Sequence, residues 1–225
     1  MCIRDRNTRK ILIEDFSVAV SKIPVAMPGT DTYPFARCKG LPPKLLTCAS
    51  FTQRKGHDVL IDAFSQLKHL SWTARFVGDK ELDTDWTNSL IKKVHASNLK
   101  DRVEFVGTVE NLSNEYQDAD IFILPSRFEG YGMVLSEALA HGLPIVSTYA
   151  GAIPDVVPES AGILVAPNNY SELATALKKI IMDQSLRIKM QMSAQEIALN
   201  LPSWSRCAEI LSLINISEPT RRYAI

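Results

Sequence analysis

The chain has little that would tie it to a membrane, a metal or a polyanion. No apolar run approaches the length needed to cross a bilayer, and the start, Met1-Cys2-Ile3-Arg4-Asp5-Arg6, lacks the apolar core of a signal peptide. Net charge is absent: 25 basic residues stand against 25 acidic ones, without the electrostatic bias of a nucleic-acid or membrane-surface binder, which points to a small-molecule partner. Cysteines are few and scattered. Cys2, Cys38, Cys48 and Cys207 show no CxxC or CxxH spacing, so neither a zinc site nor a disulfide framework is indicated, and a reducing cytosol is the expected setting. Two phosphate-binding signatures are also missing. GxGxxG fails because the residue three after Gly132 is Leu135, and there is no Walker A sequence. What is left is an ordinary globular composition and, at 225 residues, room for one large domain or two small ones.

Against that plain background one stretch stands out, residues 125–147, Pro-Ser-Arg-Phe-Glu-Gly-Tyr-Gly-Met-Val-Leu-Ser-Glu-Ala-Leu-Ala-His-Gly-Leu-Pro-Ile-Val-Ser. A strand at Ile121–Leu124 runs into a loop stopped by Pro125. The loop opens through Gly130 and Gly132 onto a helix from about Met133 to His141, with Glu129 in the loop and Glu137 on the helix. Glycines before a helix let backbone approach a ligand with no Cβ in the way, and the first N–H groups of the helix lack intrahelical partners. Such an end attracts phosphate.

Upstream, the residues to about Lys10 are charged and patternless, and no element is assigned to them; a processing or sequencing scar is one reading. Ile11–Val20 fits a short helix or strand, and the proline-rich run from Ile23 to Pro43 reads as a connector. From Lys44 short apolar strands alternate with helices. Strands are expected at 45–49, 73–77, 103–106, 121–124, 145–147 and 162–165; helices at 58–70, 85–97, 112–119, 133–141, 153–157, 171–182 and 185–200. This alternation predicts an α/β fold, a Rossmann-like doubly wound parallel sheet of about six strands with helices on both faces. Ligands of such sheets sit beyond the carboxyl ends of the strands, where the loops 50–56, 107–111 and 126–132 fall together.

A helix end contributes only about 0.3–1 kcal/mol toward an anion, and about 2 kcal/mol when partly buried, whereas micromolar binding takes about 8 kcal/mol. Other groups must help. Arg54 and Lys55, in the loop after the first strand, are the available cations on that edge, each able to add roughly 1.5–3 kcal/mol through a charge-assisted hydrogen bond. Glu137, one turn into the helix, is placed to grip a ribose diol. Taken alone, Glu129 and Glu137 read as solvated surface carboxylates, and Arg54 and Lys55 as an exposed pair. His57 reads as a residue that caps or packs on its helix, and His141 as a favourable partner for a helix dipole rather than a catalyst.

Glu129, seven residues and then Glu137, preceded upstream by Arg54-Lys55-Gly56-His57-Asp58, resembles the donor-binding half of a GT-B glycosyltransferase of the GT4 type, the C-terminal half of that fold. The likeness runs from about Lys44 to Leu201 and includes Thr148-Tyr-Ala-Gly-Ala-Ile-Pro-Asp-Val-Val-Pro158 and Gly162-Ile-Leu-Val-Ala-Pro167. It implies a glycosyltransferase that moves a sugar from a nucleotide-diphosphate donor, a UDP- or GDP-sugar, with retention of configuration and without a metal or other cofactor. Glu137 would hold the ribose and Glu129 would face the transferred sugar. Lys55, assisted by Arg54, would neutralise the pyrophosphate, the backbone of Gly130, Gly132, Met133 and Val134 would complete its cradle, and the loop Gly107, Thr108, Val109 would meet the base. The acceptor, a sugar, lipid or small molecule, stays open.

Two features depart from the family pattern. Many relatives carry an arginine five residues before the lysine, where this chain has Ser50. Members also have an N-terminal acceptor-binding domain, for which this chain has only a connector. The resulting division is a remnant and linker over 1–43, the donor domain over 44–201, and a helix remnant and tail over 202–225, with Ile214–Ile225 not continuing the amphipathic pattern. The expectation is an incomplete transferase that binds donor feebly and transfers almost nothing alone. It is placed in the cytoplasm, with peripheral attachment at an inner membrane face left open. A GT-B epimerase or phosphorylase, or a nucleotide-sugar-binding module without turnover, are the alternatives.

Overall fold

The computed structural model describes residues 4–217. Its centre is one six-stranded parallel sheet. The strands, in chain order, are β1 (Lys44–Cys48), β2 (Thr73–Val77), β3 (Val103–Gly107), β4 (Ile121–Leu124), β5 (Ile145–Thr148) and β6 (Gly162–Val165). In space they lie in the order β3-β2-β1-β4-β5-β6, every pairing parallel. The chain therefore winds one way from β1 to β3, then reverses across β1 to β4. At that reversal the segments after β1 and β4 carry their helices to opposite faces of the sheet, and such a switch is where a doubly wound sheet takes its ligand.

Helices α2 (His57–Gln66), α3 (Thr84–Ala96), α4 (Leu112–Asp118), α5 (Met133–Ala140), α6 (Ile153–Val156), α7 (Tyr170–Met182) and α8 (Gln184–Ala198) connect and cover the strands. Two apolar layers result. One packs Leu60, Phe64, Leu90 and Leu177 against Phe76, Ile121 and Ile123; the other packs Tyr116, Leu135, Leu139 and Ala194 against Leu46, Phe122 and Ile145. Each large side chain so enclosed contributes roughly 1.5–3 kcal/mol. β4 and β5 are buried at every position, because strands covered on both faces have no polar side to show. Short polar side chains start the helices: Asp83, Asn111, Asn169 and Asp183 each accept a hydrogen bond from a backbone N–H in the first turn.

The expected strands and helices from 44 to 200 are all present, displaced by one or two residues at most ends. The largest shift is in α2, expected to reach Leu70 but ending at Gln66. There Leu67 and Leu70 pass into tight turns, and Trp72 Nε1 donates to Leu67 O at 2.9 Å. The ends of the chain need correction. An α-helix, α1 (Arg6–Glu14), stands where no element was assigned before Lys10, started by Asp5, whose carboxylate accepts from Thr8 N at 2.6 Å and Thr8 Oγ1 at 2.8 Å. A final helix, α9 (Trp204–Ser217), continues through Ile214, where the pattern was expected to stop; the remainder of that tail, 218–225, lies outside the described residues.

The connector is also more than a tether. Ile23, Ala26, Ala36 and Cys38 are buried, Ala36 N donates to His141 O at 2.7 Å, and Gly40 N and Lys44 N both donate to the Asp120 carboxylate at 2.7 Å. Prolines removed the periodic signal, but hydrogen bonds to the domain supply the order. Among the described residues no helix is long and apolar enough to cross a membrane.

Candidate functional site

The site is built where the chain reverses. After β1, residues 50–56 fold into a single 3-10 turn, Gln53–Lys55, closed by Gly56 at φ +71°. A Cβ on Gly56 would stand 2.1 Å from Pro125 O, so only glycine lets this loop press onto the loop that follows β4. The second loop turns at Gly132, φ +78°, into α5, and Leu135 N donates to Gly132 O at 2.8 Å as the first turn closes. Gly130 differs, because a Cβ there would meet nothing within 4 Å and the ligand-free fold does not require glycine.

This contact brings three charges together. Lys55 Nζ lies 2.6 Å from Glu129 Oε1, Arg54 NH1 lies 3.3 Å from Oε2, and Ser126 Oγ donates to Oε1 at 2.6 Å. Arg54 NH1 also donates to Phe128 O at 2.8 Å. Glu129 is only 5% exposed, so it is not the solvated loop carboxylate that it resembles in isolation. A buried carboxylate must be compensated, and here two cations and a hydroxyl do it. The two cations exceed the one anion by a full positive charge, at the amino end of α5, where the first N–H groups are also free of intrahelical acceptors.

Lys55, Glu129, Gly130, Gly132, Met133 and Val134 line one cleft of about 370 Å³, shared with Arg4 and Asp5. Thr108 and Val109 line a second recess of about 260 Å³ with Cys48, Ala49, Ser50, Val77 and Leu112; Val134 borders both. Gly107, at φ +93°, turns the chain into that recess with Lys80 lying against it. Ser50, the residue that departs from the family's arginine, thus stands in the second recess, and the arginine that reaches Glu129, beside Lys55, is Arg54.

Glu137 is held separately. Tyr116 OH donates to Glu137 Oε2 at 2.9 Å, and burial, then the neighbouring Cys48 and Glu137, push the phenol well above its usual value, so it remains a donor at neutral pH. Tyr116 in turn stacks on His141 at 4.7 Å. His141 Nδ1 is 2.7 Å from Glu137 O and Nε2 is 2.8 Å from Ser113 Oγ; burial lowers its pKa and keeps it neutral. A neutral imidazole has no charge for a helix dipole, so its role is to pack and hydrogen-bond the end of α5. His57 is fully buried between Phe51 and Phe76, with neither ring nitrogen partnered among the described residues, and burial pushes its pKa down to about 3.

Sequence reasoning missed Ser126 and Tyr116. Ser126 was in plain sight three residues before Glu129, but only the folded loop turns its hydroxyl onto that carboxylate. Tyr116 is 21 residues from Glu137 and reaches it only because α4 packs beside α5. No group of three or more His, Cys, Asp and Glu is gathered as metal ligands among the described residues.

Comparison with known proteins follows the same lines. The sequence profile of the glycosyl transferases group 1 matches residues 42–183. Over 91% of its length the chain is 30% identical to mannosylfructose-phosphate synthase of Agrobacterium fabrum and spans 50% of that protein. It superposes on sucrose-phosphate synthase from Thermosynechococcus elongatus with a TM-score of 0.83 at 27% identity, over 96% of this chain and 57% of the other. It superposes on Anabaena Alr3699/HepE in complex with UDP and glucose with a TM-score of 0.86, over 96% of this chain and 62% of the other. At 21% identity that last likeness speaks for the fold. The chain thus spans about half the length of the curated relative and under two thirds of these two structures.

Proposed function

The chain belongs to the glycosyl transferases group 1, and from that premise we propose that it is the donor-binding part of a transferase that takes a sugar from a nucleotide-diphosphate sugar. The observation that carries this reading is the meeting of Lys55, Arg54 and Glu129 at the amino end of α5, at the point where the sheet reverses. Lys55 and Arg54 receive the diphosphate, helped by the backbone at Gly130, Gly132, Met133 and Val134. The recess at Gly107, Thr108 and Val109 takes the base, Glu137 takes the ribose diol, and Glu129 faces the transferred sugar. The nucleotide is UDP or GDP; HepE, a neighbour in fold, forms complexes with UDP and with UDP-glucose.

As the bond from sugar to diphosphate breaks, negative charge grows on the leaving oxygen. Lys55, Arg54 and the helix end are placed to meet that charge without reorganising, which lowers the barrier more than it tightens the ground state. Neutralisation by side chains in this way supports transfer without a metal, and retention of configuration is carried over from the family. The remaining halves of the relatives suggest that the acceptor is bound by a further domain, with residues 44–201 as the donor domain, 1–43 as linker and 202–225 as helix and tail. On this reading the isolated chain binds donor weakly and transfers almost nothing.

The test is a thermal-shift and calorimetric series with UDP-, GDP-, ADP- and CMP-sugars. A binder of the folded state raises stability by RT ln(1 + [L]/Kd), about 2.7 kcal/mol at a hundredfold excess over Kd. UDP- or GDP-sugars should shift the transition and release nucleotide diphosphate slowly without acceptor. Absence of any shift with all four at millimolar concentration would sink the proposal, and efficient transfer by the chain alone would remove the need for another domain.

A further inference from the structure

Arg127 is the third cation at this site, and its bonds set it apart from the other two. Its guanidinium forks onto the Asp58 carboxylate, NH1 to Oδ1 at 3.0 Å and NH2 to Oδ2 at 2.7 Å. Nε donates to Asn168 Oδ1 at 2.6 Å, and NH1 also donates to Gln53 O. Its backbone N–H donates to Arg54 O at 2.8 Å. Of the five side-chain N–H groups of an arginine, four are thereby used by the protein, which leaves little with which to bind a phosphate. Every one of these acceptors belongs to a segment that must be held still: Gln53 and Arg54 form the short turn carrying Lys55, Asp58 opens α2 behind it, and Asn168 sits in the loop after β6. Asn168 adopts φ +61°, a left-handed conformation that asparagine tolerates better than most residues, and its side-chain oxygen reaches Arg127 from there.

From this geometry we infer that Arg127 is a positioning residue, a clamp that fixes the Gln53–Lys55 turn in register with the Glu129 loop so that Lys55 and Arg54 are presented together to the donor's diphosphate. The inference rests on the proposed function of that site. The turn has three residues and closes on Gly56. Its own bonds, Lys55 N to Thr52 O at 3.0 Å and Gly56 N to Gln53 O at 3.2 Å, close the turn; the Arg127 guanidinium on Gln53 O adds a tie to the Glu129 loop that an alanine would lose, whereas the backbone N–H on Arg54 O would remain. The planar fork matters as much as the charge: lysine at 127 carries its three N–H donors on one nitrogen and cannot reproduce the two-nitrogen fork onto Asp58 together with the Nε bond to Asn168. The Asp58–Arg127 pair also reports itself electrostatically. Burial alone would raise the Asp58 carboxyl, but the hydrogen bonds and charge of Arg127, with the backbone N–H groups of Asp58 and Val59, outweigh it and hold the group below its ordinary value.

The clamp is tested by a double-mutant cycle on UDP affinity, measured by calorimetry with the full chain, using Lys55→Ala, Arg127→Ala and both together, with melting curves to confirm folding. In the intact chain Lys55→Ala should weaken UDP binding about tenfold or more; in the Arg127→Ala background the same change should cost less than about threefold, because interacting sites are not additive. Asp58→Asn, which keeps the shape and removes the charge, serves in place of Arg127→Ala if that variant does not fold, with the same expected loss of Lys55 sensitivity. A residue that merely stabilised the fold would lower the melting temperature and leave the Lys55 effect unchanged, and that result overturns the clamp. Should Lys55→Ala have no effect in the intact chain, the clamp and the diphosphate reading both fall.

Discussion

Glu129→Gln separates the charge of this carboxylate from its shape, and its effect on nucleotide binding runs against first expectation for a residue in the site. In the ligand-free chain Glu129 holds Lys55 at 2.6 Å and Arg54 at 3.3 Å. A diphosphate arriving at α5 must draw those cations away or share them. Glutamine still accepts from Ser126 or Lys55, but as a neutral acceptor its bond is about half as strong as a charge-assisted one, a difference of about 1 kcal/mol. Removing the carboxylate's repulsion adds to this: at a separation of roughly 6 Å and an effective dielectric of about 20 the Coulomb term is up to about 3 kcal/mol.

Both changes favour the bound anion, so UDP should bind Glu129→Gln at least about tenfold more tightly, about 1.4 kcal/mol. The ligand-free variant should also melt lower, because Lys55, its side chain 12% exposed, loses its counter-charge. Calorimetry of both proteins at one ionic strength measures the first effect, since salt screens the exposed part, and melting curves with and without UDP measure the second. Unchanged or weaker UDP binding by a folded Glu129→Gln protein would refute the assignment of Lys55 and Arg54 to the diphosphate.

Two further outcomes follow from other parts of the structure. Glu137→Ala should weaken UDP at least about tenfold, about 1.4 kcal/mol, and lower the melting temperature modestly, because the buried Tyr116 OH is left with Val134 O at 3.3 Å; equal affinity in calorimetry removes Glu137 from the ribose. His57 predicts an acid response with a definite sign. The unfolded chain takes a proton there below about pH 6.5, whereas burial holds the folded imidazole neutral to about pH 3, so this group costs stability as pH falls between those values. From pH 6.5 to 4.5 the loss is on the order of 2–3 kcal/mol. His57→Leu should reduce that decline in urea titrations and, with the two unpartnered ring nitrogens gone, should not destabilise at pH 7. An unaltered acid slope would show that His57 is not the group responsible.

Some of this molecule was legible without coordinates because it rests on local pattern. A short apolar run such as Ile121–Leu124, stopped by Pro125, fits a strand covered on both faces, and its alternation with amphipathic helices points to a parallel sheet. A glycine before an apolar helix marks a helix start, and Gly132 at φ +78° begins α5 as expected. Arg54 and Lys55 were also expected on the same edge as the Glu129 loop, because parallel β1 and β4 release their loops there, and both meet Glu129. Asp5 and Thr8, which start α1, were passed over because a charged run without periodicity carries no core-facing signal.

What only the tertiary structure decided is who pairs with whom. Lys55 and Glu129 are 74 residues apart, as are Arg127 and Gln53, and Tyr116 and Glu137 are 21 apart. Hydrogen bonds depend on tenths of an ångström and on direction, and no spacing along the chain encodes either once the strands cross over. The identities of the residues therefore specified a layered sheet and a glycine-led helix start, while the packing of two loops at Gly56 and Pro125 determined that Glu129 lies buried between two cations and that Arg127, chemically the equal of Arg54, is forked onto Asp58.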